Sequence, residues 1–578
     1  MPLVSFKDYI ESFNKVKKLK NASAINLKIA VLRSFTCEML EIPLTVEGYN
    51  NGYDFELYFS AFGQYAQEIL DINSRLYDFL PNFILVAINI EDIGKSVFKH
   101  GKLFESTDID ILQNDVNNFI EQLKILRSIN NGVIFVNNFF RPLLSTATYH
   151  DANLPYGTDG LIRNANSQLI AAVGKLRNVY IYDLNGLIFE LGARNAFDYK
   201  QWYIAKNLFT PMCYIEYARA ITGMISAVRN IRKKCIVLDL DNTLWRGVIG
   251  EDGMSGIDIN DSFKDLQRQL LFWKNSGILL AVNSKNNYEE AMEVIEKHPD
   301  MILRKDDFAS FMINWEDKAS NIRKISNHLN IMTDSMVFID DSAYECDLIK
   351  CQFPEIDVIH LDGNYAEYAN TIRFIPLLNF ISITEEDKKR TDYYRANESR
   401  TFLLESAGSL ETYLESLGTE ILIKPLDDFT LTRASQLSQK TNQFNLTSGK
   451  YAADDLTHMN STGFDIYTVS VSDKYGDSGI TGLIIVDVSG ANNCVWHINN
   501  FLLSCRVMGR GIEKGVWSYI VGKAYEAGIK TITGEYVPTK KNKPVEHLLE
   551  TFGFQKDNDR LKFVVSDGYI KPDYIKYM

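Results

Sequence analysis

Short apolar runs at residues 29–32, 83–90, 132–139 and 179–184 alternate with stretches at 108–128 and 162–176 whose pattern is helical. Strands alternating with helices predict a parallel, doubly wound sheet. A charged opening at 6–20 reads as a helix ahead of the first strand. Further apolar runs at 236–238, 278–282 and 336–339 continue the alternation. From residue 467 the pattern changes: 467–473, 480–488 and 494–505 read as successive antiparallel strands, followed by a glycine-bearing turn and a helix. The charged stretch from 385 has no strong apolar period and reads as a boundary helix or linker. The expected fold class is therefore multidomain α/β with a final α+β part. Its expected divisions are 1–225, 226–380, a linker at 381–405, and 406–578.

Length and composition agree with this division. A chain of 578 residues exceeds what one core organises. With 46% hydrophobic and 23% charged residues it has an ordinary globular composition. The net charge of -13 is spread along the chain and argues against non-specific nucleic-acid binding. No apolar run approaches the roughly 20 residues of a membrane span, and the first residues lack a signal-peptide core, so a cytoplasmic location without a membrane partner is expected. Seven scattered cysteines without a C-x-x-C pair fit neither a disulfide framework nor a zinc site.

The chemistry centres on C-I-V-L-D-L-D-N-T-L-W-R-G-V-I at 235–249. An apolar strand ends in Asp239 and Asp241, alternate positions that share one side of its carboxyl end, where open α/β sheets bind ligands. Two carboxylates facing a phosphate call for a divalent cation or a shared proton. Downstream, a second strand ends at Ser284, Lys318 opens a helix, and a third strand ends in Asp340 and Asp341. Asn286 is a further phosphate contact or else a turn residue. Only 42 residues separate Asp241 from Ser284, and 21 separate Lys318 from Asp340. Neither gap holds a large cap domain, so the crevice is expected to be open unless a neighbouring domain covers it. Gly247, Gly250, Gly253 and Gly256 read as a flexible flap.

This ordered set resembles the haloacid-dehalogenase (HAD) phosphotransferases. The resemblance implies that Asp239 is the nucleophile and Asp241 the acid/base. It implies that Mg²⁺ is held by the Asp239 side chain, the Asp241 carbonyl and the Asp340/Asp341 pair. Thr243 and Ser284 would bind phosphoryl oxygens, while Lys318 offsets their charge.

The first 225 residues resemble an SGNH-hydrolase domain, with Ser34 and either Asn89 or Asn137 in the catalytic places. The late segment that should hold the histidine base has none; only His100 and His150 occur in this region. A non-catalytic platform is therefore expected.

In the last part, R-x-x-G-x-G at Arg506, Gly509 and Gly511 resembles the pyrophosphate loop of GNAT acyltransferases, which bind coenzyme A or a pantetheine arm. Cys505 adjoins it, either as a nucleophile or as a small buried side chain. Together with L-S-Q-K-T-N-Q-F-N-L-T at 437–447 and L-L-S-C-R-V-M-G-R-G at 502–511, these parts resemble the FkbH family of polyketide biosynthesis. The family implies a glyceryltransferase/phosphatase that draws on 1,3-bisphosphoglycerate and loads a glyceryl unit onto an acyl carrier protein. A phosphatase of a phosphosugar or other phosphorylated metabolite, without acyl transfer, is the enzymatic alternative. A non-catalytic scaffold for carrier proteins is a third reading, disfavoured by the intact acidic set.

Overall fold

The computed structural model describes residues 5–18, 24–99, 102–143, 148–229, 231, 233–373, 375–381, 383, 385–490, 494–539, 541–557, 560–566 and 571–578. The chain divides into two units, Met1–Ile225 and Ser226–Met578.

The first unit is built on five parallel strands, β1 (Ile25–Arg33), β2 (Tyr53–Phe59), β3 (Phe83–Ala87), β4 (Val133–Asn137) and β5 (Val179–Tyr182). Their order is β2-β1-β3-β4-β5. β3 is buried along its whole length, as a strand covered by helices on both faces must be. The opening helix runs over Phe6–Val16, shorter than its charge pattern predicts, and Lys20 falls outside the described residues.

The second unit carries two sheets. One is parallel, with strands β6 (Cys235–Leu238), β7 (Leu279–Ser284), β8 (Ser310–Ile313), β9 (Met336–Asp340) and β10 (Asp357–His360) in the order β10-β9-β6-β7-β8. β6 lies in the middle, and all four of its side chains are buried. On one face Ile236 and Leu238 join Phe263, Leu266, Leu270 and Trp273 of the helix Asp261–Asn275. On the other, Cys235 and Val237 pack with Ile322 and Ile325 of the helix Lys318–His328. Truncating such a position, for instance Leu238→Ala, costs about 2–5 kcal/mol. This packing fixes where the strand ends point. Between β6 and β7 the chain forms two helices, Ile249–Gly256 and Asp261–Asn275, in place of an inserted cap.

The four glycines expected to form a flap lie in or beside the helix Ile249–Gly256. Its one non-helical residue is Gly253, at φ 63°. Asp252 Oδ2 accepts from the Val248 amide at 2.8 Å and so caps the start of this helix. A local carboxylate cap outweighs the poor helix propensity of glycine.

The other sheet has eight strands. They are β11 (Thr419–Pro425), β12 (Phe464–Asp473), β13 (Gly476–Asp487), β14 (Val495–Leu503), β15 (Thr531–Gly534), β16 (Gln555–Asp557), β17 (Arg560–Val564) and β18 (Ile575–Tyr577). β11 to β14 form an antiparallel meander, and the helix Ile512–Glu526 then crosses over to β15, parallel to β14. This is an α+β arrangement, as expected for the last part of the chain. The charged stretch before it is helical over Arg390–Ser406, and Arg390, Tyr394 and Arg400 on that helix are buried. Of the two readings, boundary helix or linker, the structure has the helix, and it is packed. Its charged residues have partners: Arg390 donates to Asp387 at 2.9 Å, and Arg400 donates to Asp473 at 2.7 Å.

Candidate functional site

β6, β7 and β9 end side by side, and their last residues and immediate successors converge at the carboxyl edge of the sheet. Asp239 follows β6, Ser284 closes β7 and Asp340 closes β9. Lys318, the first residue of its helix, places Nζ 2.9 Å from Asp239 Oδ1 and 2.6 Å from Asp340 Oδ2. Burial works against this ammonium, but the charges of Asp239 and Asp340 outweigh it and raise its pKa. Asn283 Nδ2 donates to the Lys318 carbonyl at 2.9 Å, and Asn321 Nδ2 donates to Asn283 Oδ1 at 3.2 Å. These buried amides hold the helix start against β7.

One carboxylate oxygen each from Asp239, Asp340 and Asp341 lies within 4.8 Å of the others. Burial, and then the charge of Asp239, raise the pKa of both Asp340 and Asp341. Such hard oxygen donors, crowded and mutually repelling, fit a divalent cation of the Mg²⁺ kind. Ser342 N donates to Asp340 Oδ1 at 2.9 Å, and His360 Nε2 lies 2.9 Å from the Asp341 carbonyl, so the β9 end is braced from both sides.

Asp241 stands in different surroundings. Its Oδ1 accepts from Trp245 Nε1 at 2.9 Å and from the Ile249 amide at 3.2 Å, while Oδ2 accepts from Asn286 Nδ2 at 3.1 Å. Burial is the largest influence on its pKa and raises it, although these three donors oppose the rise. A carboxyl group that holds a proton more readily than usual suits acid/base work. Asn242 makes the turn possible: it adopts φ 52°, and its Oδ1 accepts from the Gly247 amide at 3.0 Å. Asn286 also donates to Ser284 Oγ at 3.1 Å, and the buried Thr243 hydroxyl has no hydrogen-bond partner among the described residues.

Seven of the eight residues that the sequence proposes for this centre are thus gathered at one strand edge, and Thr243 is buried in the turn two residues after Asp241. Sequence reasoning missed Trp245, Asn283 and Asn321. Only Trp245 left a signal, four residues after Asp241, where a turn can fold its indole back.

The proposed GNAT-loop residues cluster elsewhere. Cys505 begins a short 3-10 turn after β14, and Arg506 stacks its guanidinium 4.6 Å from the centre of the Tyr393 ring. Gly509 and Gly511 adopt φ 77° and 66°, and Gly511 caps the helix Ile512–Glu526. Cys505 Sγ lies 3.8 Å from Tyr394 Oη and lines a cavity with Lys234, Leu279 and Ser335. Those three residues mark the amino ends of β6, β7 and β9, opposite Asp239. At about 3.3 Å per residue, the five steps from Lys234 through β6 to Asp239 put about 16 Å between the two sites. The part built on the eight-stranded sheet therefore meets the far edge of the parallel sheet from the acidic crevice.

In the first unit the Ser34 hydroxyl accepts from the Asn89 amide at 2.9 Å. Asn137 brackets Ile88, accepting from its amide at 2.8 Å and donating to its carbonyl at 3.0 Å. The acidic neighbour of Ser34 is Asp92, whose pKa is raised by burial and lowered by a hydrogen bond from Ser34. His150 is exposed, and His100 lies outside the described residues.

Comparison with known proteins places these features. Residues 28–224 match the family model described as FkbH, N-terminal domain. The chain is similar to the crystal structure of the N-terminal part of the protein BF1531 from Bacteroides fragilis, containing a phosphatase domain complexed with Mg. That match has 27% identity and a TM-score of 0.60, and it covers 66% of this chain and 100% of that one. Two slighter similarities are to acetyltransferases. The ribosomal-protein-S18-alanine N-acetyltransferase from Escherichia coli shows 12% identity and a TM-score of 0.20, covering 26% of this chain and 97% of that one. The spermidine N-acetyltransferase from Vibrio cholerae shows 13% identity and a TM-score of 0.21, covering 25% and 95%. No curated protein sequence matches the chain. Among the described residues no helix is long and apolar enough to cross a membrane.

Proposed function

With residues 28–224 an FkbH N-terminal domain and the second unit built as an enzyme of the HAD phosphatase type, we propose that the chain is a Mg²⁺-dependent glyceryltransferase/phosphatase. It takes a three-carbon acid phosphorylated at both ends, 1,3-bisphosphoglycerate, removes phosphate, and passes the glyceryl unit to the pantetheine thiol of an acyl carrier protein. The observation that carries the phosphatase half is the convergence of Asp239, Asp241, Lys318, Asp340 and Asp341 at one strand edge.

For that half, an Asp239 carboxylate oxygen attacks phosphorus and the bond to the ester oxygen breaks. Asp241 gives its proton to that leaving oxygen. Asp241 then takes a proton from water, which attacks the aspartyl-phosphate at phosphorus and releases inorganic phosphate and the Asp239 carboxylate. Lys318 stays charged throughout and balances the anionic group. Asp239, Asp340 and Asp341 would hold Mg²⁺, which when bound supplies further charge neutralisation at the phosphoryl oxygens. For the transfer half, a thiolate attacks the acyl carbon of the acyl phosphate, a C–S bond forms, and phosphate leaves with the electrons of the C–O bond. Cys505 or the carrier's own thiol supplies that sulfur.

The experiment is incubation with Mg²⁺, 1,3-bisphosphoglycerate and a holo carrier protein, read by intact mass. A glyceryl adduct supports the proposal. Phosphate release without an adduct on either protein, over several carriers, removes the transferase half. A phosphatase without acyl transfer is the second reading, favoured by the separation of about 16 Å between Asp239 and the Cys505 cavity.

A further inference from the structure

The cavity beside Cys505 encloses about 100 Å³ between the amino edge of the parallel sheet and the loop after β14. Six cationic side chains line it against one carboxylate, Asp334. Most of this charge is already engaged. Arg390 donates to Asp387 at 2.9 Å, Lys440 approaches the same carboxylate at 3.2 Å, and Lys541 pairs with Asp334 at 2.8 Å. Lys234 differs, because its ammonium has no partner among the described residues. Burial is the largest influence on its pKa and lowers it; Cys505 and Asp334 oppose the fall, while Arg390 and Lys541 add to it. A cluster of this kind is electrostatically incomplete without an anion. Neither Gly509 nor Gly511 lines the cavity, so it is distinct from the glycine-turn amides.

We propose that this cavity binds the phosphate group of a small phosphorylated metabolite, with Lys234 as its uncommitted cation and the Cys505 thiol beside it. The volume admits a compact anion, and the Tyr394 hydroxyl adds a donor on the same wall. The site stands apart from the acidic centre, since Lys234 precedes β6 and Asp239 follows it. The parallel sheet would thus present two phosphate-binding edges, one acidic, where Asp239, Asp340 and Asp341 would hold a metal, the other basic and completed by the neighbouring sheet.

The test uses Cys505 as the reporter. The full chain is alkylated with iodoacetamide at constant ionic strength while inorganic phosphate replaces chloride, and each cysteine is followed by peptide mass. Phosphate should slow modification of Cys505 at least fivefold and leave the exposed Cys351 unaffected. Lys234→Met should raise the phosphate concentration needed for protection at least tenfold. Lys541→Met, at a half-exposed position where folding is less at risk, should raise it about threefold. Asp239→Asn should leave protection as it is in the parent chain. Absence of protection, equal protection in both lysine variants, or loss of protection in Asp239→Asn would each overturn the proposal.

Discussion

Lys318 holds Asp340 at 2.6 Å while both side chains are almost wholly buried, so the cation is part of the fold as well as of the site. Lys318→Met leaves the nearby carboxylates of Asp239, Asp340 and Asp341 without their internal counter-charge. Breaking a buried pair from one side typically costs about 3–5 kcal/mol. In chelator the variant should melt well below the parent. Added Mg²⁺ should recover part of the melting temperature, yet phosphate release should stay at least about 100-fold down. Calorimetry with and without Mg²⁺, beside a phosphate-release assay, checks both halves.

The acidic triad predicts metal linkage. A cation that binds the native state alone stabilises it by about 2.7 kcal/mol at 100 times its dissociation constant. The melting temperature should therefore climb with Mg²⁺ in the parent chain and fall back on chelation. In Asp340→Asn the climb should shrink sharply, because one ligand and one charge are gone. An equal Mg²⁺ response in parent and variant would place the ion elsewhere.

Asp239→Asn tests the nucleophile without changing its shape. The amide cannot attack phosphorus, so phosphate release should disappear while the circular dichroism spectrum stays native. Undiminished turnover would sink the aspartyl-phosphate route.

Much of this was legible in the chain because strand ends are marked by abrupt changes of polarity. The buried runs before Asp239, Ser284 and Asp340 are buried strands, and the short gaps between them leave no room for a cap. What stayed hidden depends on tertiary partners. The glycines after Arg246 look unstructured in sequence, yet Asp252 caps their helix start through the Val248 amide. The charged stretch around Arg390 and Arg400 reads as a boundary helix or linker until Asp387 and Asp473 are seen beside these arginines. Lys234 gave no signal, since nothing in sequence brings the amino end of one sheet to Cys505 in another.

The Arg400–Asp473–Arg510 cluster beside the eight-stranded sheet offers a stability test. The Asp473 side chain is fully buried; its two oxygens accept from Arg400 at 2.7 Å each, and Oδ2 also accepts from Arg510 at 3.0 Å. Burial, and then the neighbouring Arg400, push the Arg510 pKa down to about 10. Asp473→Asn preserves the shape but leaves two guanidinium ions facing each other. A loss of about 3–5 kcal/mol is expected in urea unfolding. Arg510→Met, which removes one of the repelling charges, should cost less in the Asn background than in the parent.

Cys505→Ala separates the two half-reactions. Because the thiol lies at the amino end of the parallel sheet and Asp239 at the carboxyl end, the change touches none of the hydrogen bonds around the acidic centre. Cys505 is half-buried, so losing its sulfur removes little packing. Phosphate release from a simple phosphomonoester should therefore stay within about twofold of the parent, since the change is small and lies away from the acidic centre. Transfer of the glyceryl unit to the carrier protein should fall below detection if Cys505 carries the acyl group. Intact-mass measurement of the carrier reads transfer, and a phosphate assay on the same sample reads hydrolysis. Transfer at the parent rate in Cys505→Ala would assign the attacking sulfur to the carrier's pantetheine arm, leaving Cys505 as a wall of the basic cavity.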